Sequence, residues 1–198
     1  MVKLLFLPGA GASASFWSPV AQCLQSSRPT HFFSWPGLGS EPPEPGIRGL
    51  DDLVARVLDQ MSEPADLVAQ SMGGLIALKA CLSEPRRVRR LVLTATSGGL
   101  PLEGLGASDW RTAYRAAYPN AAGWITEVQE DLSAQLGAIE APTLLLWGDR
   151  DKISPQAVGE RLGQALPNAK LYIIKGGDHD FPQTHANEVA RLVDKHLR

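Results

Sequence analysis

Apolar residues along this chain fall into two alternating patterns. Six short runs, at residues 3–7, 31–35, 65–69, 90–95, 143–147 and 170–175, are mostly continuous in hydrophobicity. Continuity of this kind marks strands buried on both faces. Between the runs lie longer stretches with helical patterning, at residues 16–26, 50–61, 72–83, 155–166 and 184–197. In one of them Leu50, Leu53, Val54, Val57, Leu58 and Met61 share one face of a 3.6-residue period. Ser154 before Pro155 predicts an N-cap with proline in the first turn. The strand–helix alternation predicts an α/β fold, a doubly wound and mostly parallel sheet of about six strands with helices on both faces.

Two stretches break this rhythm. Residues 36–49 are rich in proline and glycine and predict a long loop. Residues 97–141 are predicted to be a short lid inserted between two strands, with helices at 108–118 and 121–136. The whole chain, residues 1–198, reads as a single domain.

Composition narrows the function classes. The 198 residues are 44% hydrophobic and 20% charged, enough to bury a core without staples. A net charge of −2 gives no electrostatic case for a nucleic-acid or anionic-membrane partner. Cys23 and Cys81 lack metal-ligand spacing and read as thiols of a reducing compartment. The apolar run Leu4-Leu5-Phe6-Leu7 is shorter than the roughly 7–15 residues of a signal-peptide core, and Pro8-Gly9 breaks it. A cytoplasmic protein is expected, with no run near the roughly 20 apolar residues of a membrane span.

The most informative segment runs from Asp66 through Ala69-Gln70-Ser71-Met72-Gly73-Gly74. An apolar strand enters a tight turn that passes straight into a helix, with Ser71 at the corner. The corner aims a hydroxyl out of the sheet, beside the free N–H groups and positive end of the helix. Small neighbours are required there, because strand and helix nearly touch. A serine that only caps the helix is the plainer alternative, but it leaves the two adjacent glycines unexplained. The segment resembles the Gly-x-Ser-x-Gly nucleophile elbow of the α/β-hydrolase family, with Ala69 in place of the first glycine. The resemblance extends over almost the whole chain and is nearest the esterase-like branch with Ser-Met-Gly-Gly elbows. Serine at the corner argues against the dehalogenase and epoxide hydrolase branches, which carry aspartate.

A serine hydroxyl needs a base. Of the four histidines, His31 starts an early strand, while His185 and His196 fall on the last helix. His179, in Gly176-Gly177-Asp178-His179, follows the final strand and resembles the family's terminal Gly-x-x-His loop. The base in turn needs a carboxylate, and Gly148-Asp149-Arg150-Asp151 offers two. In the family this loop reads Gly-Asp-x-Asp with the second aspartate catalytic, which implies Asp151 and leaves Asp149 to shape the turn. The order Ser71, Asp151, His179 matches the family order.

The resemblance also implies an oxyanion hole, with one N–H from Met72 and a second from the loop Pro8-Gly9-Ala10-Gly11, assigned to Ala10. The family's usual His-Gly-x-Gly reads Pro8-Gly9-Ala10-Gly11 here, so the histidine's structural role falls to other groups. Gly9 and Gly11 would let a substrate approach, and Phe16, Trp17, Trp110, Tyr114 and Tyr118 are candidate substrate contacts, with packing the alternative for each aromatic. The expected activity is hydrolysis of a small-molecule ester or thioester through an acyl-serine, without metal, nucleotide or organic cofactor. A carbon–carbon bond hydrolase, lyase or perhydrolase on the same triad remains open, as does a non-catalytic binding protein.

Overall fold

The computed structural model describes residues 1–198. Six strands are present, β1 (Leu4–Leu7), β2 (Thr30–Phe32), β3 (Ala65–Gln70), β4 (Val88–Thr94), β5 (Thr143–Gly148) and β6 (Ala169–Ile174). They form one sheet in the order β2-β1-β3-β4-β5-β6, and every pairing is parallel. Every residue of β1, β3 and β5 is buried. Their continuous apolar runs follow from that burial on both faces. β6 is an edge strand, and it leaves Tyr172 and Ile173 exposed.

Helices α1 (Ser18–Cys23), α2 (Leu50–Asp59), α3 (Met72–Ser83), α4 (Arg111–Ala117), α5 (Gln156–Ala165), α6 (Phe181–Thr184) and α7 (Ala186–His196) complete the chain. Two cores result, one on each side of the sheet. The larger joins α2, α3 and α5 through residues such as Leu53, Val57, Ile76, Leu78 and Leu162. The smaller joins α1 and α7 through Val20, Val189 and Val193, with Phe16, Trp17 and Phe181. No helix is long and apolar enough to cross a membrane.

Strand order places the site. From β1 the chain first adds β2 on one side, then crosses back to lay β3 on the other. In open α/β sheets such a reversal opens a crevice at the carboxyl ends of the strands. The loop after β1 and the corner after β3 both lie at this crevice.

Two sequence expectations are corrected. Residues 121–136 do not form a helix. They hold a 3-10 turn at Gly123–Thr126 and otherwise irregular backbone up to a second 3-10 turn at Leu136–Ala138. Side chains there take over the backbone's hydrogen bonds. Thr126 Oγ1 donates to the Gly123 carbonyl, and Asp131 accepts from the Ser133 N–H. Nor does Ser154 cap α5, whose N-cap is Pro155. The Ser154 hydroxyl instead faces the Thr96 carbonyl and accepts from Trp147 Nε1.

Candidate active site

The corner after β3 is strained as the sequence demands. Ser71 has φ 53° and ψ −121°, a region that non-glycine residues rarely occupy. The turn is held by the Ser71 N–H, which donates to the Thr94 carbonyl at 3.0 Å. The neighbouring glycines are contact-limited. A Cβ on Gly73 would lie 2.4 Å from the Leu7 carbonyl oxygen, and one on Gly74 would lie 2.6 Å from the Thr96 side chain. α3 can therefore press against β1 only because residue 73 has no side chain.

His179 reaches this corner from the loop after β6. Its Nε2 lies 3.1 Å from Ser71 Oγ, and its Nδ1 lies 2.8 Å from Asp151 Oδ2. A carboxylate can only accept, so Nδ1 carries the proton and Nε2 is left to accept from the serine. The Asp151 side chain is wholly buried. Its other oxygen accepts from the Ile153 and Ser154 N–H groups at 2.8 and 2.9 Å. Four acceptor sites are thus largely satisfied, and the ring orientation is set.

Asp149 does different work. It accepts the Gly176 N–H at 2.6 Å, tying the loop after β5 to the loop after β6. The Arg150 N–H donates to the Gly177 carbonyl at 2.9 Å, and a Cβ on Gly148 would lie 2.2 Å from that same oxygen. Asp178 accepts the Asp180 N–H, shaping the turn beside the histidine. Desolvation, with help from Asp178 and Asp151, holds the Asp180 carboxyl above the usual carboxylate range, while the neighbouring His179 opposes this.

The Met72 N–H heads α3, where no intrahelical acceptor exists. The Ala10 N–H has no hydrogen-bond partner in the protein. Gly9 lies against the nucleophile, since a Cβ there would sit 3.2 Å from the Ser71 Cβ. Gly11 makes room for a ring rather than a ligand, for a Cβ would lie 2.9 Å from Tyr118 Cε2.

The expected aromatic contacts sort differently. Phe16 and Trp17 are buried in the smaller core with α1 and α7, which matches the packing alternative. Tyr114 is buried, and its hydroxyl is occupied by backbone, accepting from the Gly39 N–H and donating to the Ala10 carbonyl. Trp110, half-buried, stacks edge-on against Tyr114 at 5.5 Å. A cavity of about 380 Å³ lies between residues 48–52 and 124–130 and shares no residue with the candidate site.

Two residues at the site, Gln70 and Trp35, carried no assignment from sequence. Gln70 is buried, donates from Nε2 to the His179 carbonyl at 3.3 Å, and leaves its Oε1 against Gly9 without a partner. Its position directly before the elbow serine was the available signal. Trp35 Nε1 donates to the Pro8 carbonyl at 2.9 Å. Tyr118, expected either to pack the lid or to touch substrate, donates to the Gly11 carbonyl at 2.8 Å. Its i, i+4 spacing from Tyr114 was visible, but its target was not.

A family model described as the alpha/beta hydrolase family matches residues 4–135, and a second, for the alpha/beta hydrolase fold, matches residues 106–186. The chain belongs to the alpha/beta hydrolase family. Among its relatives is a pimeloyl-[acyl-carrier protein] methyl ester esterase of Neisseria meningitidis serogroup B, 27% identical across 96% of this chain and 90% of that protein. A poly(3-hydroxyalkanoate) depolymerase of Ectopseudomonas oleovorans is 28% identical across 100% of this chain and 85% of its own. The alignment with the esterase runs over 236 positions against 198 residues here, so that relative carries segments this hydrolase lacks. A bacterial membrane phospholipase A superposes with a TM-score of 0.83 at 22% identity, over 99% of this chain and 78% of that one. At that identity the likeness speaks for the fold alone.

Proposed function

We propose that this protein hydrolyses a small-molecule carboxylic ester or thioester through an acyl-Ser71 intermediate. The observation that carries the reading is the unbroken run of contacts from Ser71 Oγ through His179 to Asp151. Its relatives named esterase and depolymerase support the same class of reaction.

His179 Nε2 takes the Ser71 proton as Oγ attacks the acyl carbon. Negative charge gathers on the former carbonyl oxygen, and the Ala10 and Met72 N–H groups stabilise it. One such donor is worth about 3–4 kcal/mol in the transition state. The tetrahedral species expels the alcohol or thiol, which leaves with the proton held on His179. Water then gives a proton to the same nitrogen and attacks the acyl-serine. Collapse releases the carboxylic acid and returns the proton to Ser71. Asp151 keeps the proton on Nδ1 and stabilises the imidazolium formed in each half-reaction.

Residues 97–141 act as a short lid over this site, and the whole chain works as one domain. A cytoplasmic setting completes the reading, supported by the two unpaired thiols, Cys23 and Cys81.

A fluorophosphonate probe and a chain-length series of p-nitrophenyl esters test the proposal together. The wild-type protein labels and turns over at least one ester, and Ser71→Ala does neither. A folded wild-type sample that neither labels nor hydrolyses any ester would overturn it.

A further inference from the structure

The loop after β1 has four successive carbonyls, and a donor takes each of them. Trp35 Nε1 holds Pro8, the Ala12 N–H holds Gly9 at 3.3 Å, Tyr114 holds Ala10 at 3.2 Å, and Tyr118 holds Gly11 at 2.8 Å. A peptide group is planar, so fixing each carbonyl also fixes the N–H of the following residue. All the N–H directions from Gly9 to Ala12 are set in this way, while the Ala10 N–H itself stays unengaged. Two of the donors, Tyr114 and Tyr118, come from α4 and the residue after it, far along the chain. The Gly39 N–H donates to the Tyr114 hydroxyl at 2.8 Å, so that hydroxyl's own proton is directed at Ala10. The Tyr118 ring occupies the space a Cβ at residue 11 would need.

We propose that Tyr114 and Tyr118, with Trp35, are positioning residues that hold the oxyanion loop rigid, in place of the histidine that Pro8 displaces. The inference rests on the hydrolase reading above. An oxyanion hole works because its donors are already aimed when charge develops. A loop of Pro8-Gly9-Ala10-Gly11 has little stiffness of its own, and the braces supply it. The 97–141 segment therefore sets the electrostatics of the reaction without its tyrosine hydroxyls touching substrate. Desolvation raises the Tyr114 hydroxyl above the ordinary phenol range, so it remains a proton donor across the working pH.

The test is Tyr114→Phe, Tyr118→Phe and the pair, which keep the rings and delete the hydroxyls. Turnover of p-nitrophenyl butyrate falls about tenfold for each single variant and about a hundredfold for the pair, which reaches the lower end of the 10²–10³ for outright loss of one donor. KM stays within about twofold, because ground-state binding is untouched. Inhibition by a phenylboronic acid, whose tetrahedral serine adduct bears negative charge, weakens by the same factors as kcat. Tyr118 is half-buried, so Tyr118→Phe stays folded even if Tyr114→Phe does not, and thermal unfolding separates the two effects. Unchanged kcat and boronate affinity in folded variants would overturn the inference, as would a change confined to KM, which would make the tyrosines substrate contacts. A wild-type chain inert toward ester, fluorophosphonate and boronate alike would instead overturn the hydrolase reading, and the inference with it.

Discussion

Replacing Gly73 with alanine adds one methyl group at the tightest contact of the elbow. The new Cβ would lie 2.4 Å from the Leu7 carbonyl oxygen, 2.6 Å from that of Pro8 and 2.8 Å from the Leu7 carbonyl carbon. Ordinary contact begins near 3.4 Å, so α3 and β1 must separate by about 1 Å. All three clashing atoms are backbone, and no rotamer can relieve them. Overpacking of this kind costs about 1–3 kcal/mol, or a fall in Tm of roughly 2–4 °C per kcal/mol for a chain this long. The larger effect is on the reaction. Ser71 and Met72 ride on α3 while Ala10 rides on the loop after β1, so the separation pulls the nucleophile and the two donors apart. Misplacement by about 1 Å costs on the order of 10²-fold in rate. Steady-state hydrolysis of a p-nitrophenyl ester and guanidinium unfolding measure the two effects side by side. Gly163→Ala in α5 is the control. Its nearest neighbour, Leu145 Cδ1, is at an ordinary 3.5 Å, and alanine there should stabilise the helix by roughly 0.5–1 kcal/mol. Wild-type turnover and an unshifted unfolding midpoint in Gly73→Ala would refute the account of the elbow.

Other substitutions probe separate parts of the structure. Asp151→Asn should lower kcat by about 10⁴-fold with little loss of stability, because an amide can donate to Nδ1 and stabilise the wrong tautomer; the kinetics and unfolding of one purified variant decide this. Asp66 is wholly buried between Arg28 and Arg89 at the start of β3, and both arginines also donate to the Leu197 carbonyl. Asp66→Ala should destabilise by about 3 kcal/mol in urea, the low end for a broken buried pair, since the two arginines keep 20% and 32% side-chain exposure and can rehydrate. His31 and His196 are both held below the ordinary histidine range, first by burial and then by Lys3 and Arg56 for the former and Arg90 for the latter. The unfolded chain thus binds protons that the folded chain refuses, and stability should fall as pH drops below about 6.5. Urea midpoints at pH 7.5 and 5.5 should move closer together in a His31→Asn, His196→Asn double variant; an equal gap would assign the acid sensitivity elsewhere.

Strands were the most legible part of this chain because burial on both faces leaves a continuous apolar run, as in Leu144-Leu145-Leu146. The 72–83 helix was visible to the residue, since it starts at the elbow and ends where Pro85 follows. Residues 121–136 misled because their apolar spacing is compatible with a helix, while Thr126 and Asp131 satisfy the backbone in another way. Ser71 and His179 could be singled out by residue type and by the loops that carry them, whereas choosing Asp151 over Asp149 needed the family resemblance. The tyrosine braces could not. A hydroxyl's partner is a carbonyl about a hundred residues away, and carbonyls carry no sequence signature. Phe16 and Trp17 looked like pocket residues from their place after the oxyanion loop, but the loop turns them under the sheet into the smaller core.

The outer flank of β6 has a bearing on how the protein behaves in bulk. Its N–H and C=O groups on that side are open to a passing chain, and Tyr172 and Ile173 stand beside them. Lys170 and Lys175 bracket those two side chains and are both exposed, so two copies meeting flank to flank bring like charges together. Added salt screens that repulsion. Warm, concentrated, high-salt solutions are therefore where this protein should begin to cloud.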